Sequence, residues 1–117
     1  MNKINKVEFE FKLAQIMKEY SLSIEKFRQY INIYKTNQYI YIQPLMRNMK
    51  IDWIQADTIM KFLESYGLVK PIKMCKCEVC NYHFDVESNI KEINCPHCED
   101  TIYMYSLAYK KVKCEEL

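Results

Sequence analysis

Apolar residues in the first half of the chain recur at the spacing of amphipathic helices. Ile4, Val7, Phe11, Ala14 and Met17, widened by Leu13 and Ile16, predict a helix from Ile4 to Tyr20 with one buried stripe. Ser21 and Ser23 are cap residues, and Glu25 suits the positive end of the next helix dipole. Ile24, Phe27, Ile31 and Tyr34 predict that second helix, ending near Thr36-Asn37. The period then shortens, and Tyr39-Ile40-Tyr41-Ile42 reads as a strand. Pro44 suits the first position of a short helix over Leu45–Met49, with a turn at Lys50-Ile51. Asp52 and Gln55 have the spacing of a capping box, in which each side chain bonds the other's backbone N–H. They predict a helix from Trp53 to Tyr66 with Ala56, Ile59, Met60 and Leu63 inward. Gly67 stands where that helix ends in left-handed geometry, and Leu68-Val69 opens a strand before Pro71.

The second half is punctuated by cysteine. Cys77, Cys80, Cys95 and Cys98 form a CxxC pair, fourteen intervening residues and a second CxxC pair. Two residues between paired cysteines let one tight knuckle aim both sulfurs at a single ion, and zinc takes four thiolates at ~2.3 Å in a tetrahedron. The expected cofactor is one structural Zn2+ per chain, with no coordination position left for catalysis. His83 and Cys75 are alternative ligands, and His97 reads as a solvent-facing spacer. Tyr82–Val86 and Ile90–Asn94 alternate as the strands of a hairpin, which makes this half resemble a zinc ribbon. No glycine follows either knuckle. Asn81 tolerates left-handed geometry, and Glu99 does so less readily. Thr101–Lys113 is β-rich, and Cys114 reads as an ordinary thiol.

Helix, short strand, short helix, tight turn, longer helix, glycine and strand is the order of a winged helix-turn-helix. The stretch 42–71 resembles the gamma domain that ends FtsK-type DNA translocases. The likeness rests on Ile42, Leu45, Arg47, Lys50-Ile51, Trp53, Ala56, Ile59-Met60, Leu63-Glu64, Gly67-Leu68-Val69 and Pro71. It implies an α+β winged-helix fold and contact with double-stranded DNA. Arg47, Lys50 and Lys61 would then lie on phosphates, with Gln55 and Thr58 on bases. Where the family has a turn glycine and then asparagine and arginine, this chain has Asp52, Ile54, Gln55 and Thr58, with Asp57 nearby. The expected organisation is a winged helix with an added N-terminal helix over 1–70, followed by a ribbon over 71–117. Pairing of 68–74 with 101–113 would let the ribbon extend or replace the wing.

Composition narrows the functions. One glycine in 117 residues, against roughly eight at average usage, leaves no phosphate-cradling glycine loop. No paired-carboxylate, Ser/His/Asp or Cys/His arrangement stands out, so no enzyme is expected. No apolar run reaches ~18 residues, and the charged N-terminus lacks a signal-peptide core, so a cytoplasmic protein without membrane contact is expected. The net charge of +2 hides an asymmetry: residues 1–70 carry +4 and residues 71–117 carry −2. Lys110, Lys111 and Lys113 add a basic patch near the end. Tyrosines 39, 41, 103, 105 and 109 lie in or near strands, where they pack a core, meet a partner or stack on bases. Two functions follow: a DNA-binding regulator or accessory factor, or a protein-interaction adaptor within a larger nucleic-acid or ATPase machine. The added helix either covers the core or pairs two subunits as a homodimer.

Overall fold

Helix propensity and apolar period together produce four helices in residues 6–112, the part of the chain that the computed structural model describes. They pack on one face of a small antiparallel sheet, giving an α+β architecture. Ile4, Lys113 and Cys114 lie outside the described residues.

Helix α1 (Lys6–Glu19) buries Leu13 and Met17 of the expected stripe, but Phe9 in place of Val7, Phe11 and Ala14. Val7 is 81% and Phe11 64% exposed. The helix has two apolar stripes, and tertiary partners choose between them. Phe9 stacks on Phe62 at 5.2 Å and 5°, and meets Tyr66 edge-on at 5.0 Å and 65°. Aromatic pairs of this geometry contribute ~0.5–1.5 kcal/mol each beyond area burial, which favours the Phe9 side.

Helix α2 (Ile24–Asn32) starts at Ser23, whose side chain accepts from the Lys26 N–H. It ends earlier than Thr36-Asn37. The Lys111 ammonium, only 3% exposed, donates to the Ile31 carbonyl at 3.0 Å, and Tyr34 N–H donates to the same oxygen. A cation on the last-turn carbonyls satisfies the helix end and complements its dipole. The chain then enters β1 (Tyr39–Ile40), shorter than expected because Ile42 already opens α3 (Ile42–Met49). Pro44 therefore takes the third helical position instead of the first. It is tolerated because the N–H groups of a first turn lack intrahelical partners.

Helix α4 (Trp53–Ser65) has the full capping box: Gln55 N–H donates to Asp52 Oδ1 at 2.8 Å, and Asp52 N–H to Gln55 Oε1 at 3.1 Å. Its buried residues are Ala56, Ile59, Met60 and Leu63, as the pattern predicts. Three helices end in the same way. A left-handed residue is followed by an N–H reaching back five positions, with Leu22 to Met17, Ile51 to Met46 and Leu68 to Leu63 at 2.8, 3.1 and 3.1 Å. The left-handed residues are Ser21, Lys50 and Gly67, so glycine serves at one of the three. Gly67→Ala is expected to cost about 1 kcal/mol from backbone strain alone, since nothing lies within 4 Å of an added Cβ. Ser21→Gly is expected to gain a similar amount, both shifts being read as urea midpoints.

Five more strands follow: β2 (Val69–Lys76), β3 (His83–Glu87), β4 (Ile93–Asn94), β5 (Thr101–Ile102) and β6 (Tyr105–Lys111). The main sheet has the order β1-β6-β2-β3, and β4 pairs with β5 separately. The hairpin expected between 82–86 and 90–94 does not form. β3 instead pairs with β2, and β4 with β5, so each CxxC knuckle is the turn of its own hairpin. The expected pairing of 68–74 with the return segment is present, running from Val69↔Lys111 to Cys75↔Tyr105. β2 thus passes unbroken through the division expected at residues 70 and 71.

Pro71 sits inside this central strand at a position that needs no donor. Val112 N–H donates to Leu68 O, so by alternation the even residues of β2 bond β6 and the odd ones face β3. β3 reaches only as far as Glu87 opposite Ile72, and the missing Pro71 N–H points past its end.

Two apolar cores result. The larger joins the helices to Ile40, Leu68, Val69 and Tyr109. The smaller comprises Cys75, Cys77, Ile93, Cys95 and Ile102, with Cys80, Phe84 and Val86 against it. On the sheet face turned away from the helices, Tyr39 Oη donates to Asp85 Oδ2 at 2.6 Å and Lys110 Nζ pairs with the same oxygen at 3.2 Å. By register this bridge from β1 to β3 passes diagonally over Ala108 and Ile72, both buried. The Tyr39 hydroxyl and the Lys110 ammonium hold the Asp85 carboxyl below its ordinary value, and the Tyr39 phenol is pushed up to about 12 by its bond to Asp85. Among the described residues no helix is long and apolar enough to cross a membrane.

Candidate metal centre

Two short loops with the same backbone pattern bring four cysteines together. In the first, Asn81 N–H donates to Cys77 O at 2.8 Å, and Cys77 N–H to Tyr82 O at 2.9 Å. In the second, Glu99 N–H donates to Cys95 O at 2.8 Å, and Cys95 N–H to Asp100 O at 2.8 Å. Each loop turns on a left-handed residue, Asn81 at φ 62° and Glu99 at φ 66°. Glutamate accepts the strained conformation because the hairpin β4–β5 fixes both ends of its loop.

The sulfurs of Cys77, Cys80, Cys95 and Cys98 all lie within 4.8 Å of one another. Across the two loops, Cys77 Sγ is 3.4 Å from Cys98 Sγ, and Cys80 Sγ is 3.6 Å from Cys95 Sγ. Four thiolates at ~2.3 Å around one ion have S···S edges of about 3.8 Å, so the arrangement fits a single tetrahedral ion. Cys75 and His83 stand outside this group. The Cys75 thiol donates to Lys73 O at 3.7 Å, and His83 is exposed on β3 opposite Lys76. Burial pushes the Cys75 thiol up.

The sulfurs differ electrostatically. Burial works to raise Cys95, but the backbone N–H groups of Cys98 and His97 overcome it and bring the thiol down to about 7. The His97 N–H lies 3.4 Å from that sulfur. For Cys98 the Asp100 backbone favours the thiolate, yet the bond to Cys77 and burial outweigh it and push the thiol up to about 12. Without a cation the cluster therefore retains protons at neutral pH, and a divalent ion must displace them. The sequence pattern did not reveal the aromatic link between the loops. Tyr82, after the first knuckle, stacks on His97 of the second at 5.7 Å and 16°, and on Phe84 at 6.0 Å.

The residues expected at nucleic acid gather around the α3–α4 corner. Arg47 and Lys50 are exposed, Lys50 as the left-handed residue ending α3. Gln55 is half-buried with its amide oxygen in the capping box. Thr58 Oγ1 donates back to Ile54 O at 2.9 Å, and Lys61 pairs with Asp57 at 2.9 Å. The largest exposed groups of α4 are Trp53 and Ile54, at 56% and 70%. Comparison with protein-family models, curated proteins and solved structures finds no match to the chain.

Proposed function

We propose that the chain is a non-enzymatic, zinc-stapled DNA-binding module of winged-helix type, a regulator or accessory factor. The observation that carries this reading is the α3–α4 corner. A left-handed residue and a capping box fix the angle between two short helices, and the outer face of α4 carries exposed Trp53, Ile54, Thr58 and Lys61. The resemblance of 42–71 to the gamma domain of FtsK-type translocases supports it. In such a corner the first helix crosses the phosphate backbone and the second enters the major groove. Arg47 and Lys50 would take phosphates. Ile54 and the Thr58 methyl suit thymine methyl groups, while Gln55 is committed to its cap. Zinc is the ion favoured by four soft sulfurs in a closed tetrahedron, and it would hold the two knuckles as one ribbon-like unit. Cys77, Cys80, Cys95 and Cys98 would hold it.

One observation favours a second reading, a protein-interaction adaptor. The two largest exposed groups on α4 are apolar, and the Lys61 charge is balanced by Asp57. Aromatic anchors beside such a balanced surface suit a protein interface better than a phosphate backbone.

Fluorescence anisotropy on mixed-sequence duplex DNA separates the two. If Arg47, Lys50 and Lys61 each meet one phosphate, affinity falls about 40-fold between 50 and 200 mM salt. Arg47→Glu with Lys50→Glu abolishes binding in a folded protein. Absence of binding at low salt, with a co-purifying protein lost on Trp53→Ala, assigns the adaptor reading instead.

A further inference from the structure

Strand β6 has one open edge. Lys111 N–H donates to Gln38 O, which turns the backbone of Lys111 toward β1. By alternation Tyr109, Leu107 and Tyr105 turn the same way, while Lys110, Ala108 and Ser106 bond β2. β1 ends at Ile40 opposite Tyr109, and from Ile42 the chain leaves as α3. Among the described residues no strand therefore faces the N–H and C=O groups of Leu107 and Tyr105. Natural edges are blunted by charge, proline or brevity, yet no residue from Thr101 to Tyr109 is charged. Tyr103, Met104 and Leu107 are 86%, 75% and 62% exposed.

We propose that this edge is a peptide-docking site, where an extended segment of a partner protein adds a strand in line with β1. Main-chain bonds to Leu107 and Tyr105 would hold it, and alternate apolar side chains would lie against Leu107 and Tyr105. Area decides against a second copy of the chain as occupant. Aromatic side chains bury ~150–250 Å² each, so this patch offers roughly 500 Å² per copy, short of the ~800 Å² per partner of a standard interface. A single strand needs no more. Charge sets the end of the peptide. An open hollow of about 470 Å³ adjoins the start of β6, lined among others by Met74, Lys76, Glu78 and Met104. Asp100 lies in the adjoining depression, which Lys76 and Glu78 also line. In the hollow and this depression Glu78 and Asp100 outnumber Lys76, which suits a lysine or arginine at the end of the docked segment. Farther along, the Lys73 ammonium lies 4.6 Å from the centre of the Tyr105 ring, beside the apolar positions.

The test uses the metal-loaded full chain and amide-resolved NMR. The probes are pooled hexapeptides with valine, isoleucine or threonine at alternate positions, ending in lysine or in glutamate. In the free protein the Tyr105 and Leu107 amides are expected to exchange freely while Ser106 and Ala108 are protected. The lysine-ended pool is expected to protect Tyr105 and Leu107 at millimolar concentration, with at least threefold weaker binding of the glutamate-ended pool. Leu107→Pro removes only the outward N–H, so it should lose this protection while Ala108 stays protected. Several outcomes overturn the proposal: no protection by either pool, equal protection by both, or protection by rising protein concentration alone. Protection of these amides by duplex DNA overturns it as well. The DNA-binding reading rests on Arg47 and Lys50, so Leu107→Pro leaves that reading unaffected and the two can fail separately.

Discussion

Stripping the metal with a chelator is expected to unfold the end of the molecule around the four sulfurs while the helical end stays folded. The smaller core has five buried residues, three of them cysteines, which is too little apolar surface to stand alone. Structural zinc supplies about 10–16 kcal/mol of apparent binding free energy to such units, so its loss exceeds anything a side-chain substitution would do. The larger core contains none of the four sulfur ligands. Metal analysis should give one ion per chain. Chelation should erase amide protection in β3, β4 and β5 while leaving the helical circular dichroism, and Cys95→Ser should reproduce both effects. Acid should act in the same direction. Binding needs thiolates, so protons compete with the ion increasingly as pH falls. Loss of the helical signal together with the metal would refute the separation of the two cores.

The second large effect is expected at Lys111. Its stem is buried and its ammonium closes α2 at Ile31 O, while its backbone bonds Asn37 and Gln38. Lys111→Ala removes apolar stem worth ~0.8 kcal/mol per CH2 and the charged bond to a carbonyl that then keeps the Tyr34 N–H. After the relief of burying an ammonium, a net loss of about 3 kcal/mol is expected in denaturant unfolding. Lys111→Met keeps the stem and should lose about half of that. Equal losses would place the whole effect in the ammonium.

Local signals in the sequence were sufficient where a few neighbouring residues decide the structure. Asp52 with Gln55 specified the start of α4, Gly67 its end, and the two CxxC pairs the group of four sulfurs. They were insufficient where distant residues choose between local equals. α1 offers two apolar stripes, and only Phe62 and Tyr66, some fifty residues later, favour Phe9 over Phe11. The segment 82–86 alternates well enough for several partners, and it pairs with β2 because the first knuckle makes those two strands adjacent. The Tyr39–Asp85 bond and the Lys111 cap span 46 and 80 residues of sequence, and no period or spacing encodes them. Glycine poverty misled in one respect, since Ser21, Asn37, Lys50, Asn81 and Glu99 all take the left-handed conformation without it.

β2 has a consequence for how the sheet finds its alignment. Val69 at one end of the strand belongs to the helical core, and Cys75 at the other belongs to the sulfur core. A slip of one residue against β6 would turn both outward at once and put Pro71 where β6 requires an N–H. The misaligned sheet would thus lose a greasy anchor, the packing of Cys75 beneath the sulfur group and a backbone bond in one step. An ion held by Cys77 and its three partners would act as a clasp that admits a single alignment of strands some thirty residues apart in the chain.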